Sequence, residues 1–570
     1  MIRNNPFPVL VRHFYLRLFN NDFIAFEDQM KEKTISFLAL VAILSAHIAN
    51  SVLMKYVFVP DDGISWVEKC YFISFVMLLL GFITVFEWDV IFPDARDFAN
   101  LLTLPIKLKM IFVSKFTSLC LFVGLFALGS NAISALAFWF HLTPWQEDQG
   151  VLFSLLFICV HFVSVIAACF FVFFFFVFVM GVLMVIFPAN LFRVISLFIR
   201  TTLMIICVFL MIYIVLDSFT SSSYFNSLPA LKANNSISFY LFPPMWFTGL
   251  YETLLGNSDP QFGVCSSIAL ISSVLVIIGF FISAALGYKK YCKKMDIKRK
   301  RSALLSKLKN NLIRLFHMLF LRNPLQRAVF HFVGKTLRYS AVHKMRLAIF
   351  AAIGVSLELI FLISNSQNLH SYSQLNTAFL TLPMILTVFL LLGIRSVVNI
   401  PLSLDANWIF RLTEESSLNH YLSGLKKGIL FYVLFPLFTL VFLLFTLLYG
   451  WDIGFLHSFY GVMWGGLFIE LLFLKFHKIP FTCSYLPGKA KVHIFWLVYF
   501  VVFVIYVSLI SKLELVLLYN PFLLLLFIGF SCICFLGLRY YQNNYLFKNL
   551  HITYEEKLEP AMVTLLTDEN

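Results

Sequence analysis

Apolar residues in this chain come in long unbroken runs separated by short polar breaks, and twelve runs have the length of a membrane-crossing helix. Such a helix needs about 20 mostly apolar residues to cross roughly 30 Å of hydrocarbon, where only helices and closed barrels satisfy their backbone hydrogen bonds. The runs predict helices at about 35–58, 66–86, 111–141, 151–187, 201–219 and 265–288, then at about 346–364, 377–398, 428–449, 457–475, 494–511 and 519–538. The expected fold is therefore all-α: a polytopic membrane protein of two six-helix halves, 1–288 and 346–538, joined by a basic linker at 289–345 and followed by a tail at 539–570.

The polar breaks repeat as the spans do. Ahead of span one, Phe14, Leu16, Leu18 and Phe19 alternate with Arg12, His13 and Arg17, a pattern that predicts an interfacial helix rather than a cleaved signal peptide. Phe330 to Phe350 runs basic and amphipathic into span seven in the same way. After span two, FEWDVIFPDARDF (Phe86 to Phe98) carries Glu87, Asp89, Asp94, Arg96 and Asp97, then TLPIKLKM. Its echo after span eight carries Asp405, Asn407, Trp408, Arg411, Glu414 and Glu415, then SSLNHYLSGLKK. Acids early and lysines late favour a short helix lying across the membrane face, and two such segments at equivalent places predict a docking surface for a soluble partner. Parallel halves imply a pseudo-two-fold axis along the membrane normal, with a pathway between them.

Composition agrees: 60% of residues are hydrophobic and 13% charged, against about 25% charged in soluble domains, and the mean hydropathy is +0.88. The 69 Phe residues fall on every span, so they read as lipid-facing and packing surface. Ten Cys stand scattered without zinc-ligand spacing, which leaves no metal site in the sequence. Lys and Arg concentrate in loops after even-numbered spans, while loops after odd-numbered spans are neutral or acidic; this bias predicts that both termini are cytoplasmic. The linker from Lys289 to Arg346 holds seventeen Lys or Arg against Asp296 alone, and the net charge of the chain is +14. Beside a membrane such a run faces anionic headgroups, so the lipid bilayer and not nucleic acid is the expected partner.

Chemistry-bearing residues are sparse. Gly334, Lys335 and Thr336 end like a phosphate-binding loop, but Val329 stands where the pattern needs Gly, so no nucleotide site is expected here. KIPFTCSYLPGK (Lys478 to Lys489) reads as a second partner contact, since His477 and Cys483 have no further member for a nucleophilic set. Pro243 and Pro244 interrupt helix formation in FPPMWFTGLYETLLG, and Trp246, Phe247 and Tyr251 suit the membrane interface, which predicts a short outer hairpin near 240–256. Ionisable residues away from the span edges are few, and His47, His161, Glu358 and Glu470 stand out among them. A charge in the bilayer core costs about 2.5 kcal/mol or more, so Glu358, well inside span seven, is expected to line a pathway, and Glu470 to reach Lys475 and water.

Together, DANWIFRLTEE (Asp405 to Glu415), KIPFTCSYLPGK, FEWDVIFPDARDF and FPPMWFTGLYETLLG resemble large bacterial permeases of ATP-binding-cassette exporters that carry two permease halves in one chain. The resemblance implies that the charged segments after spans two and eight are coupling helices seated on two ATPase subunits per chain. The segments before spans one and seven would be elbow helices. ATP and Mg would bind in those separate subunits, this chain would hold no cofactor and be no enzyme, and its place would be the bacterial cytoplasmic membrane, moving lipids, polysaccharides, peptides or drugs outward. An ion-coupled secondary transporter is the alternative and would show Gly- or Pro-broken helices with paired charges. A lipid-modifying membrane enzyme would need acids or His converging at one face, where Asp61 and Asp62 form the only outer acidic pair.

Overall fold

The computed structural model describes residues 6–19, 30–57, 63–91, 106, 108–143, 150–217, 224–292, 320–321, 323–364, 377–402, 418–476, 478–482 and 492–546. No strand occurs among them, and eleven of their helices are long and apolar enough to cross a membrane. The protein is an all-α polytopic membrane protein. It divides into two compact units, Met1–Lys298 and Arg299–Asn570.

In the first unit an amphipathic helix, α1 (Pro6–Phe19), precedes α2 (Met30–Leu53), which ends in a 3-10 turn over Met54–Val57. Then come α3 (Trp66–Phe86), a one-turn α4 (Trp88–Ile91), α5 (Leu108–Leu142), α6 (Val151–Ile186) and α7 (Ala189–Asp217). Three shorter helices follow, α8 (Tyr224–Ala233), α9 (Ile237–Leu241) and α10 (Pro243–Leu254), before the long α11 (Pro260–Cys292). The helix of span five thus begins at Ala189 and its apolar stretch at Val194, not near 201. Arg200 turns inward and donates to the carbonyls of Val85 and Phe86, closing the exposed C-terminal end of α3.

The expectation that Pro243 and Pro244 interrupt helix is corrected by α10, which starts on them. At the first helical positions the N–H that proline lacks has no intrahelical acceptor, and its fixed φ is already helical. Nor does α10 turn its aromatic face to the interface. Met245, Phe247 and Tyr251 are buried against α3, α6 and α11, while Trp246 is half-buried and donates to Tyr240 O at 2.6 Å. Gly249 permits this contact, since a Cβ there would lie 2.8 Å from the Phe262 carbonyl oxygen.

The second unit opens with the amphipathic α12 (Pro324–Tyr339), capped by Asn323, whose side chain accepts from Leu325 N–H at 2.8 Å. It continues with α13 (Ala341–Ser364), α14 (Thr377–Val397) and α15 (Leu418–Ile429), which passes through a π turn (Leu430–Leu434) into α16 (Phe435–Tyr449). The last three are α17 (Trp451–Leu472), α18 (Val492–Tyr519) and α19 (Pro521–Tyr541). Two boundaries differ from expectation in a way that matters below. Gly450, at φ +95°, turns the chain sharply enough for α17 to start six residues before 457, and α18 runs eight residues past 511.

Within each unit the helices pack in nearly the same order. The second span meets the fourth and fifth (α3 with α6 and α7; α14 with α17 and α18), the third meets the fourth, and the fourth meets the sixth. In each, the amphipathic helix packs on the start of the third span. Leu10 and Phe14 of α1 sit against Met110 and Ile111 of α5, and Val329 and Val333 of α12 join Tyr421, Leu425 and Ile429 of α15 in one apolar cluster. The first span breaks the pattern, packing mainly on α5 in the first unit and on α14 in the second.

Candidate functional site

Most of the residues expected to dock a partner lie outside the described residues: Asp94, Arg96 and Asp97 in the first unit, and Asp405, Asn407, Trp408, Arg411, Glu414 and Glu415 in the second. Glu87 follows the last turn of α3, with its N–H on Ile83 O at 2.9 Å, and Asp89 stands in α4 beside the buried Trp88. Part of KIPFTCSYLPGK is described, and it is core. Ile479, Phe481 and Thr482 are buried, and backbone bonds from Phe481 N to Val398 O (3.0 Å) and Leu402 N to Phe481 O (2.9 Å) tie the segment to the end of span eight. The described part, Lys478 to Thr482, supports the unit, and Cys483 to Lys489 lie outside the described residues.

Burial of ionisable groups is more extensive than the sequence indicates, and in the first unit it gathers where α3 begins. Lys69 donates to Glu252 Oε1 of α10 at 2.7 Å and lies 4.7 Å from the Tyr251 ring centre and 5.6 Å from that of Phe157. The other carboxylate oxygen of Glu252 accepts from Asn257 at 3.1 Å. Neighbouring Glu68 accepts from Tyr56 at 2.9 Å and pairs with Lys55. His161 of α6, expected within span four, lies below this group, with Nδ1 3.4 Å from the Tyr251 hydroxyl and Nε2 3.3 Å from Ser134 Oγ. Every charge here has an opposite charge or a hydrogen-bonding neighbour, the condition under which buried ions persist. A second tie closes the α10–α11 turn: Lys232 pairs with Asp259 at 2.5 Å, while Asp259 accepts Gln261 N–H at 3.0 Å as the cap of α11. The Lys232 ammonium beside Asp259 holds its carboxyl below the ordinary 3.8.

In the second unit ionisable groups cluster at both ends of α17. Glu470, expected to reach Lys475 and water, is buried and pairs with Lys426 of α15 and with Arg539 of α19 at 3.2 Å. Lys426 also donates to Gln542 at 2.6 Å, and Gln542 donates to the carbonyls of Phe473 and Leu474, satisfying the end of α17. Glu358 of α13 stands one turn after Gly354, where α13 approaches Leu386 and Phe389 of α14. Its Oε1 is buried without a hydrogen-bond partner among the described residues.

At the opposite end of α17 from Glu470, His457 Nδ1 meets Glu514 Oε1 of α18 at 2.5 Å, with side chains 0% and 1% exposed. The His457 ring lies against Phe445 of α16, their centroids 4.1 Å apart. Gly454 and Gly461 flank His457 at helical spacing and bring α16 close, through Thr446 and Phe438 respectively. The predicted spans end at 511 and begin at 457, so they leave Glu514 outside the membrane and His457 at its surface. The stripe Gly454, Gly461, Gly465 is the signal in the sequence that turns this face inward.

Among the described residues no group of three His, Cys, Asp or Glu is disposed to hold a metal ion, and Cys70 and Cys265 are buried free thiols. Comparison with protein-family models, curated proteins and solved structures finds no match to this chain.

Proposed function

We propose that the chain is the membrane-spanning permease of an ATP-binding-cassette exporter, in which the two halves form the substrate pathway and separate ATPase subunits drive it. One observation carries the reading: apart from its first span, each half repeats the same helix packing, and each lays a basic amphipathic helix on the start of its third span. That is the arrangement of a protein built to move two equivalent bodies against each other. The charged segments after spans two and eight supply the docking sites in this scheme, with Asp94 and Asp97 in one and Glu414 and Glu415 in the other. The test is co-purification with the ATPase encoded beside this chain, followed by ATP hydrolysis by the complex. Reversing charge at Asp94 and Asp97, or at Glu414 and Glu415, is expected to weaken docking. Orientation is tested in intact cells, where external thiol reagent is expected to reach Asn234→Cys and not Ser302→Cys. Labelling of Ser302→Cys overturns the cytoplasmic placement of the linker.

A specific observation favours a second reading. Glu358, whose Oε1 is buried, and the buried His457–Glu514 pair are ionisable groups within long apolar helices, a feature of ion-coupled secondary transporters. Purification without an ATPase, together with transport in liposomes on an ion gradient without ATP, decides for this reading against the exporter.

A further inference from the structure

The second unit buries one ion pair whose outer atoms are unsatisfied. His457 and Glu514 touch through Nδ1 and Oε1, yet among the described residues His457 Nε2 and Glu514 Oε2 are buried without hydrogen-bond partners, as are Thr446 Oγ1 and Ser458 Oγ of the packed helices α16 and α17. The Lys69 and Lys426 networks differ, since there a third or fourth group holds each carboxylate. His457 lies six residues from the start of α17 and Glu514 five from the end of α18, about 7–9 Å in at 1.5 Å per residue, so both stand inside long, mostly apolar helices.

Charge counting sets the state of the pair. A neutral imidazole beside a carboxylate carries −1, one added proton makes the pair neutral, and a second makes it +1. Among the described residues nothing close by offsets either charged state. From α18, Lys512 is exposed and so directed away from the dyad; from α17, Asp452 is exposed. Tyr460 of α17 donates to Ile510 O, and Tyr506 of α18 packs on Trp464. On α16 the titratable side chain is Tyr449, packed on Phe445 and Phe379. The only one on α14 is Arg395, stacked on Phe473 and Phe476 at the other end of α17. On α19, Arg539 belongs to the Glu470 network, and Cys532, Cys534, Tyr540 and Tyr541 lie in its second half, toward that same end. In surroundings this apolar the pair is stable with one proton and unstable without it.

We propose that His457 and Glu514 form a membrane-embedded proton-binding site, in which one proton held between Nδ1 and Oε1 keeps α17 and α18 together and whose release opens them to water. The bound proton is shared by imidazole and carboxylate, no other bond forms or breaks, and on release it passes to solvent. Because the distal atoms Nε2 and Oε2 have no partners among the described residues, neither placement of the proton is locked there by a second hydrogen bond, which is what separates an exchangeable site from a structural ion pair. The site stands whether or not ATPase subunits drive the chain.

The experiment is pH-difference infrared spectroscopy of the purified full chain in lipid nanodiscs, with isotope-labelled His and Glu. In the wild type, one imidazole band and one carboxyl band are expected to change together in a single step of one proton per chain. Glu514→Gln is expected to remove both bands from that step, and His457→Gln to remove the imidazole band and move the carboxyl band to a different pH. If either single variant fails to insert, the paired replacement His457→Leu with Glu514→Leu removes both charges and is expected to lack the step. The proposal is overturned if no such step occurs over the pH range in which the chain stays folded, if the two bands titrate separately, or if the step survives in Glu514→Gln or in the paired variant.

Discussion

The cluster around Lys69 in the first unit and the His457–Glu514 dyad in the second solve the same problem in opposite ways. Both bury opposite charges near one end of long apolar helices. Around Lys69 the charges are surrounded by partners: Glu252 is also held by Asn257, Glu68 by Tyr56 and Lys55, and the ammonium lies against two aromatic rings. Lysine cannot hand its charge to a carboxylate without leaving two poorly solvated neutral groups, so this network acts as a clamp that fixes α10 on α3. The dyad pairs one imidazole with one carboxylate, and among the described residues its outer atoms Nε2 and Oε2 have no hydrogen-bond partners. The difference teaches that burial of an ion pair does not by itself mark function; the number of unsatisfied atoms around it separates a clamp from a switch.

The sharpest way to break this comparison is Lys69→Met, which leaves Glu252 buried without its counter-ion. A loss of about 3–5 kcal/mol is expected, read from thermal unfolding in detergent, and the double variant Lys69→Met with Glu252→Leu should recover most of it. A single substitution that costs less than 1 kcal/mol would mean the clamp is not a clamp. Next in size is Gly249→Val, which drives side-chain atoms into the Phe262 carbonyl and Cys265 and should cost about 1–3 kcal/mol by overpacking between α10 and α11. The same assay with Gly249→Ala is expected to show a smaller fraction of that loss.

His457→Leu should be milder than Lys69→Met. Glu514 left alone can bind a proton and stay neutral, so the expected loss is about 1 kcal/mol, the net worth of a neutral hydrogen bond. A cost equal to that of Lys69→Met would place the dyad with the structural clamps. The smallest effect concerns Asp259, whose folded carboxyl is held below the unfolded value by Lys232. A depressed carboxyl stabilises the fold above the unfolded value near 3.8, and this contribution is lost as pH falls through the lower folded value. Asp259→Asn should therefore flatten the acid side of the stability profile and leave Lys69 variants unaffected, since the two ties share no residue.

The run of apolar residues by itself determined the membrane class, the long helices and the amphipathic helices ahead of each half, because covering a polar backbone in hydrocarbon admits few alternatives and a span of about 20 apolar residues has one stable form. It also made Glu358 and His161 visible, since each stands well inside a run. Only the tertiary structure decided what those groups meet. Lys69, Glu252, His457 and Glu514 all fall within a few residues of an expected span boundary or in a hairpin, where a charge is cheap if exposed, and nothing local says that a neighbouring helix covers it. That depends on how far α17 and α18 extend, on Gly454 and Gly461 admitting α16, and on Pro243 starting a helix that carries Glu252 to Lys69. Hydropathy sums over about 20 residues and is blunt at its edges, whereas an ion pair is decided within 4 Å, between residues that here stand 57 and 183 positions apart.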